Sequence, residues 1–496
     1  MPKMLPFRMI ARALVGALVF GSVIYLLAAV VSQGEFSELE TFSAITPNLT
    51  EIPNIEDHAL KSYASSRLSE MLATSDFVEF ARRLRFFGEI FDSYEMTYPE
   101  HVAKYSAALA ERNGAIEKLA LLGKEPIPEE LQRAATREIF PYPASSVLWD
   151  LEREIFPWAH HRFSSLLEMK ASFSGRGIVI PTGSHHLRFA IHLIKHIRLL
   201  KCSLPIIVAY SGDGDLKKEE IDYLRHMGVG TMDVAEIFNT ASLSLHGWEI
   251  KPFALLAAPF EEVILADADI VFLQNPAVML DDLDYQKHGA IIFHDRTLFA
   301  GDQGKTDWLN RNLPHPLSRR VLESRMYLKK SAHEQESGVV VWNKKTRLLG
   351  LLAACKMNVK AERDEVTYKV FYGDKESFWL GLEMAAQSYT HLQPVPGVIG
   401  DSRYDRKKDQ LVACGRILQF DRQAWPLWFN GAIVLDKRSR AGSLKIMNFT
   451  HFAREGSWDF GTSCLDVDVT PINGTLKAMI DEIAALWIPN LDYTKI

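Results

Sequence analysis

Val263-Ile264-Leu265-Ala266-Asp267-Ala268-Asp269-Ile270-Val271-Phe272-Leu273 reads as a strand apolar enough to be buried on both faces, as in the middle of a parallel sheet. Two aspartates interrupt it. Successive strand residues point to opposite faces, so Asp267 and Asp269 are expected on one side, about 6 to 7 Å apart. Two ionised carboxylates held together against a buried sheet repel one another, at a cost on the order of several kcal/mol unless compensated. A bound divalent cation removes that penalty. Hard oxygen ligands favour manganese or magnesium, whose shell is usually completed by substrate phosphates. The alternative is that the pair caps a turn or pairs with basic side chains.

The surroundings of this stretch set the fold class. Gly177-Ile178-Val179-Ile180-Pro181 is a strand ending in a turn at Thr182-Gly183, and Leu187 to Leu200 places Ala190, Leu193, Ile194 and Ile197 on one helical face. Leu204 to Tyr210 is a second strand, followed by helices near Lys217 to Met227 and Trp248 to Ala258, and then by the quoted stretch. This βαβαβ order predicts an α/β domain with a largely parallel sheet and helices on both faces. In such sheets ligands bind beyond the carboxyl ends of the strands.

Further out, the 496-residue chain is too long for one ordinary core. Its net charge of -6, with no basic block, argues against a nucleic-acid partner. Ala13 to Val31 is a 19-residue stretch without a charge, with Lys3, Arg8 and Arg12 before it and Glu35, Glu38 and Glu40 after it. That pattern predicts a cytoplasmic tail at 1–12, a signal anchor at 13–31, and the bulk of the chain across the membrane; a cleaved signal peptide is the competing reading. Residues 32–170 are expected to form a lumenal stem and helical subdomain, with Phe77, Phe80, Ala81, Leu84 and Phe87 recurring at helical steps, and 171–496 the catalytic domain. Acceptor triplets at Asn48, Asn448 and Asn473 agree with a lumenal location. The four cysteines, Cys202, Cys355, Cys414 and Cys464, are compatible with one or two disulfides in an oxidising compartment or with four buried thiols.

Beyond the Asp-Ala-Asp segment, GIVIPTGSHHLRF from Gly177, QESGVVVWNK from Gln335, GDKESFWLG from Gly373, and Asn448-Phe449-Thr450-His451-Phe452 occur together. In combination they resemble the fungal Golgi α-mannosyltransferase family, typified by α-1,3-mannosyltransferases, over roughly residues 170–460. The resemblance implies a GT-A-type mixed sheet flanked by helices, preceded by a membrane anchor and a helical stem. It also implies a single-pass type II enzyme of the Golgi membrane that transfers mannose from GDP-mannose to a mannose-containing oligosaccharide or glycoprotein, with manganese or magnesium. An α product from an α-linked donor means retention, which needs a carboxylate nucleophile or front-face attack guided by the leaving phosphate.

Roles follow residue by residue from the resemblance. Asp267, Asp269 and His451 are the expected metal ligands, with Asp267 able to contact ribose instead and Asp269 the firmer ligand. Pro181, Thr182 and Gly183 are expected at the nucleoside, and Ser337-Gly338 where backbone approaches the sugar. Asp374, Glu336 and Glu376 are the carboxylates that would orient the sugar, bind the acceptor hydroxyl or act as nucleophile. Asp374 ranks first; a helix N-cap is its structural alternative. Lys251 is expected either to reach a phosphate or to lie on a helix surface. Rival functions are an α-1,2-mannosyltransferase of the same family, a two-carboxylate glycosidase and a non-catalytic glycan-binding protein. His192 and His196, four apart without a zinc-protease glutamate, read as a solvated basic face, and Ser211 to Asp215 as a surface turn. Trp425, Trp428 and Phe429 are candidates for an acceptor groove or for core packing.

Overall fold

The computed structural model describes residues 77–97, 107, 147–163, 165–240, 243–297, 299–392, 395–407, 409–437, 445–454, 458, 463–489 and 493. The expected tail, the anchor at 13–31 and the triplet at Asn48 lie outside them. No helix among the described residues is long and apolar enough to cross a membrane. The chain divides into two compact units, Met1–Glu56 with Tyr98–Ala144, and Asp57–Thr97 with Ser145–Ile496. The architecture below is that of the second.

Its first sheet contains β1 (Arg176–Pro181), β2 (Ile206–Tyr210), β3 (Gly230–Asp233), β4 (Glu262–Ala266), β6 (Ala290–His294) and β7 (Gln335–Asn343); β5 (Ile270–Phe272) lies elsewhere. The strand order is β3-β2-β1-β4-β7-β6. Strands β1 to β4 are mutually parallel where they pair, whereas β7 runs antiparallel to both β4 and β6. The expected mixed α/β sheet is therefore present. Val263, Ile264, Leu265 and Ala266 are fully buried, which is why this strand shows no polar alternation.

The quoted stretch is not one strand. β4 stops at Ala266, the Ile270 amide donates to the Asp267 carbonyl at 3.1 Å, and β5 begins at Ile270 in another sheet. That second sheet comprises β5 with β8 (Gly397–Asp405), β9 (Gln410–Phe420), β10 (Pro426–Asn430), β11 (His451–Ala453), β12 (Cys464–Leu465) and β13 (Thr470–Pro471). Its main path is β13-β11-β8-β9-β10-β5, with β12 on β9. Asp267 and Asp269 thus sit in the turn where the chain crosses from one sheet to the other. The alternation argument for their direction fails because that turn carries neither Gly nor Pro to announce it.

One core joins the two sheets, with Ile178, Ile264 and Val339 from the first and Phe272, Leu418 and Trp428 from the second. Trp428 and Phe429, candidates for a glycan groove, belong to it. His192 and His196 are buried rather than solvated: His196 Nε2 accepts from the Phe272 amide at 3.1 Å, and His192 Nε2 lies 2.9 Å from the Ile483 carbonyl. The boundary expected at residue 170 does not separate the preceding helices from the sheets. From the helix Phe77–Thr97, the Phe77 ring packs on Trp308 and Arg85 donates to the carbonyls of Glu383 and Met384. Cys414 and Cys464 form a disulfide, and Cys202 and Cys355 are free and buried.

Candidate active site

A cavity of about 1080 Å³ opens over the β4–β5 turn, at the carboxyl ends of β1, β2 and β4. Pro181, Thr182 and Gly183 form part of its wall, as expected for the end of β1. Gly183 is required there: a Cβ would stand 2.0 Å from Asp215 Oδ1. Asp215, assigned from sequence to a surface turn, faces the same cavity.

The floor is a four-residue knot. Lys251, at the start of the helix Ile250–Ala257, is buried, and its Nζ lies 3.0 Å from Asp267 Oδ1, 3.0 Å from Asp374 Oδ2 and 2.8 Å from Ser337 Oγ. Ser337 Oγ in turn donates to Asp374 Oδ2 at 3.1 Å. An ammonium has three donors, and these three acceptors use them all. The surface expectation for Lys251 is therefore corrected: it is buried at the cavity and held by these three acceptors. Burial alone would lower its pKa, but the charges of Asp267 and Asp374 outweigh burial and raise it. Burial pushes Asp267 in the opposite sense, up to about 7; Lys251 pulls it down while Asp374 and Asp269 push it further up.

Asp374 is not an N-cap. Its side chain is spent on Lys251 and Ser337, and its carbonyl accepts from the amide of Ser377, the first residue of the helix Ser377–Met384. Glu336 also faces the cavity from β7, with Oε1 accepting from the Gly338 amide at 2.8 Å and Asn430 Nδ2 at 2.9 Å. Burial and the charge of Asp295 raise its pKa, against Lys375. Glu376 does not line the cavity. It is fully buried, accepting from the amides of Glu334 and Gln335 and from Trp379 Nε1, so it clamps its helix to β7. Gly338 likewise serves packing rather than sugar approach: its carbonyl accepts from the Asp267 amide at 2.8 Å, and a Cβ would stand 2.8 Å from Ile270 Cδ1.

Asp269 is placed differently from Asp267. Its carbonyl accepts from the amides of Gly431 and Ala432, and its carboxylate is paired with Lys437. His451 does not line the cavity; its Nδ1 contacts Thr450 Oγ1 at 3.0 Å. In register it pairs with Gly400, and Gly400 with the cavity-lining Gly415, so it stands two strand spacings away, about 10 Å. Among the described residues no three His, Cys, Asp or Glu side chains are grouped to hold a metal. The donor set that remains, two hard carboxylates whose mutual charge raises Asp267, fits a cation that takes the rest of its shell from phosphate and water.

Sequence reasoning missed several cavity residues. Lys375 Nζ pairs with Asp295 Oδ2 at 2.8 Å; Arg416 enters from β9 and Lys437 from the segment after β10; Trp248 and Tyr372 also line the cavity. Lys375 stood inside a quoted motif, and its neighbour Asp374 was the available clue.

Residues 175–421, about half of the chain, match the family described as "Mannosyltransferase putative". Alpha-1,3-mannosyltransferase MNT3 of Saccharomyces cerevisiae is 27% identical over 307 residues, covering 54% of this chain and 48% of that protein. Alpha-1,3-mannosyltransferase MNT2 of the same yeast is 26% identical over 301 residues, covering 53% of each. The chain spans about half the length of the curated relatives it matches. Among solved structures, the galactosyltransferase LgtC in complex with donor and acceptor sugar analogs is 16% identical at a TM-score of 0.29, covering 44% of this chain and 73% of that one, a likeness too slight to decide anything. By its matched region and its fungal relatives, the chain belongs to this mannosyltransferase family.

Proposed function

We propose that this chain is a retaining, metal-dependent mannosyltransferase that moves mannose from GDP-mannose onto a mannose-containing glycan in α-1,3 linkage. The observation that carries the reading is the cavity at the sheet seam, with Asp267, Asp269, Asp374 and Glu336 on its surface. The family and its α-1,3-mannosyltransferase relatives support the donor sugar and the linkage. Pro181, Thr182 and Gly183 take the nucleoside, and Asp267, which lines the same cavity, shares the ribose contacts. Asp267 and Asp269 would hold manganese or magnesium, which as a Lewis acid offsets charge building on the departing diphosphate. Lys251 fixes Asp267 and Asp374 relative to each other. With Asp374 so committed, Glu336 is the carboxylate left to face the sugar, and the amide of Gly338 and the side chain of Asn430 hold its orientation.

The expected setting is the Golgi membrane, with residues 13–31 as the anchor and the catalytic unit in the lumen. The Cys414–Cys464 disulfide supports an oxidising compartment. The test is incubation of the full chain with a panel of nucleotide sugars, α-linked mannose oligomers and manganese, followed by determination of the product linkage. Mannose transferred only from GDP-mannose, in α-1,3 linkage, is the expected outcome. An α-1,2 product would replace the linkage, and use of no donor would overturn the transferase reading.

A further inference from the structure

Trp248 and Tyr372 are 51% and 62% exposed, unusual for aromatic side chains of this size, yet both line the cavity. Their ring centroids are 5.1 Å apart with planes inclined by 46°. The arrangement is built rather than incidental. Gly373, at φ +70°, brings the Tyr372 backbone so close that a Cβ would stand 2.8 Å from Trp248 Cε3. Both residues adjoin the floor along the chain: the Lys251 amide donates to the Trp248 carbonyl, and Tyr372 lies two residues before Asp374. Lys375 stands 5.9 Å over the Tyr372 ring and pairs with Asp295. The two rings and Asp269 all line the one cavity.

We propose that Trp248 and Tyr372 form the platform on which the acceptor's non-reducing pyranose stacks, a deepening that rests on the transferase reading above. The occupant must offer an apolar face to two exposed rings and polar edges to the Lys375–Asp295 pair a few ångströms away. A pyranoside does both, with C–H bonds on one ring face and hydroxyls around the rim. The platform places the acceptor beside Asp374 and Glu336 and leaves the Pro181–Gly183 wall to the nucleoside.

The test compares Trp248→Ala, Tyr372→Ala and Trp248→Phe with the unaltered full chain. Saturation-transfer NMR reads binding of methyl α-mannoside and α-linked mannotriose without donor, calorimetry reads GDP binding, and kinetics read the acceptor KM. Both alanine variants are expected to weaken mannotriose binding and raise the acceptor KM about tenfold, the equivalent of about 1.4 kcal/mol. GDP affinity should stay within about twofold, and Trp248→Phe should recover most of the binding. Unchanged mannotriose binding in both alanine variants overturns the platform, as does an equal loss of GDP affinity, which would assign the rings to the nucleobase. Mannotriose binding is measured without a donor, so failure of the unaltered chain to use any donor overturns the transferase reading without being mistaken for failure of the platform.

Discussion

Asp267 and Asp269 are two residues apart and line one cavity, but the lysine that holds the first is buried and the lysine that holds the second is exposed. Asp267 is held by a lysine that is itself buried and shared with Asp374 and Ser337. Asp269 is held by Lys437, whose side chain is 39% exposed and which lies in a turn after β10. The difference teaches that an ion pair's surroundings, more than its distance, decide whether it is architecture or a site that can exchange its partner. Removing one member of a buried pair strands the other charge away from water, whereas an exposed ammonium returns to solvent at little cost.

The comparison can be broken in order of effect. Asp269→Ala should lower transfer by about a thousandfold or more, a magnitude typical of losing a principal electrostatic contribution, while leaving the unfolding midpoint almost unchanged. Initial rates and thermal unfolding check this together, and substantial residual transfer would remove Asp269 from the chemistry. Lys251→Met should cost about 3–5 kcal/mol of stability, because Asp374 is left buried, and Asp267 half-buried, without their counter-charge. Denaturant titration reads it, and a loss below about 1 kcal/mol would show that the buried lysine's pairs are no more structural than the exposed one's.

Gly183→Ala comes next. With its Cβ 2.0 Å from Asp215 Oδ1 the wall must move, at a cost of about 1–3 kcal/mol, and GDP affinity measured by calorimetry should fall with it. Lys437→Ala is expected to cost little stability, below about 1 kcal/mol. The same variant should bind manganese more tightly in paramagnetic resonance titrations, since a competing cation has been removed. Weaker manganese binding would mean that Lys437 helps to build the site instead of covering it.

The part of this arrangement legible in sequence is the part in which local pattern and chemistry conflict. A run of residues suited to a doubly buried strand has no reason to contain Asp267 and Asp269 unless something compensates them, and the strands from Gly177 and Leu204 placed that run at the end of a parallel sheet. The crossing between sheets was not legible, because Ala266 to Ile270 carries no Gly or Pro, its two aspartates read first as ligands rather than as turn residues, and β5 is as apolar as β4. Lys251 was misplaced for a related reason. Its burial depends on acceptors from β7 and from the Tyr372–Glu376 segment, far along the chain. His451 and Glu376 matched motif positions but not the cavity, since register in the antiparallel sheet and the packing of the helix start placed them elsewhere. Lys437 and Arg416 gave no signal, because nothing in their neighbours' spacing distinguishes them from surface cations.

The central claim is that Asp267 and Asp269 together form the cation-dependent seat of a nucleotide sugar. Calorimetric titration of the full chain with GDP-mannose, with and without manganese, compared with Asp269→Ala, tests it most directly. Binding by the unaltered chain that requires manganese, and that Asp269→Ala abolishes, is the result predicted. Equal affinity with and without the ion, undiminished in the variant, would contradict the claim.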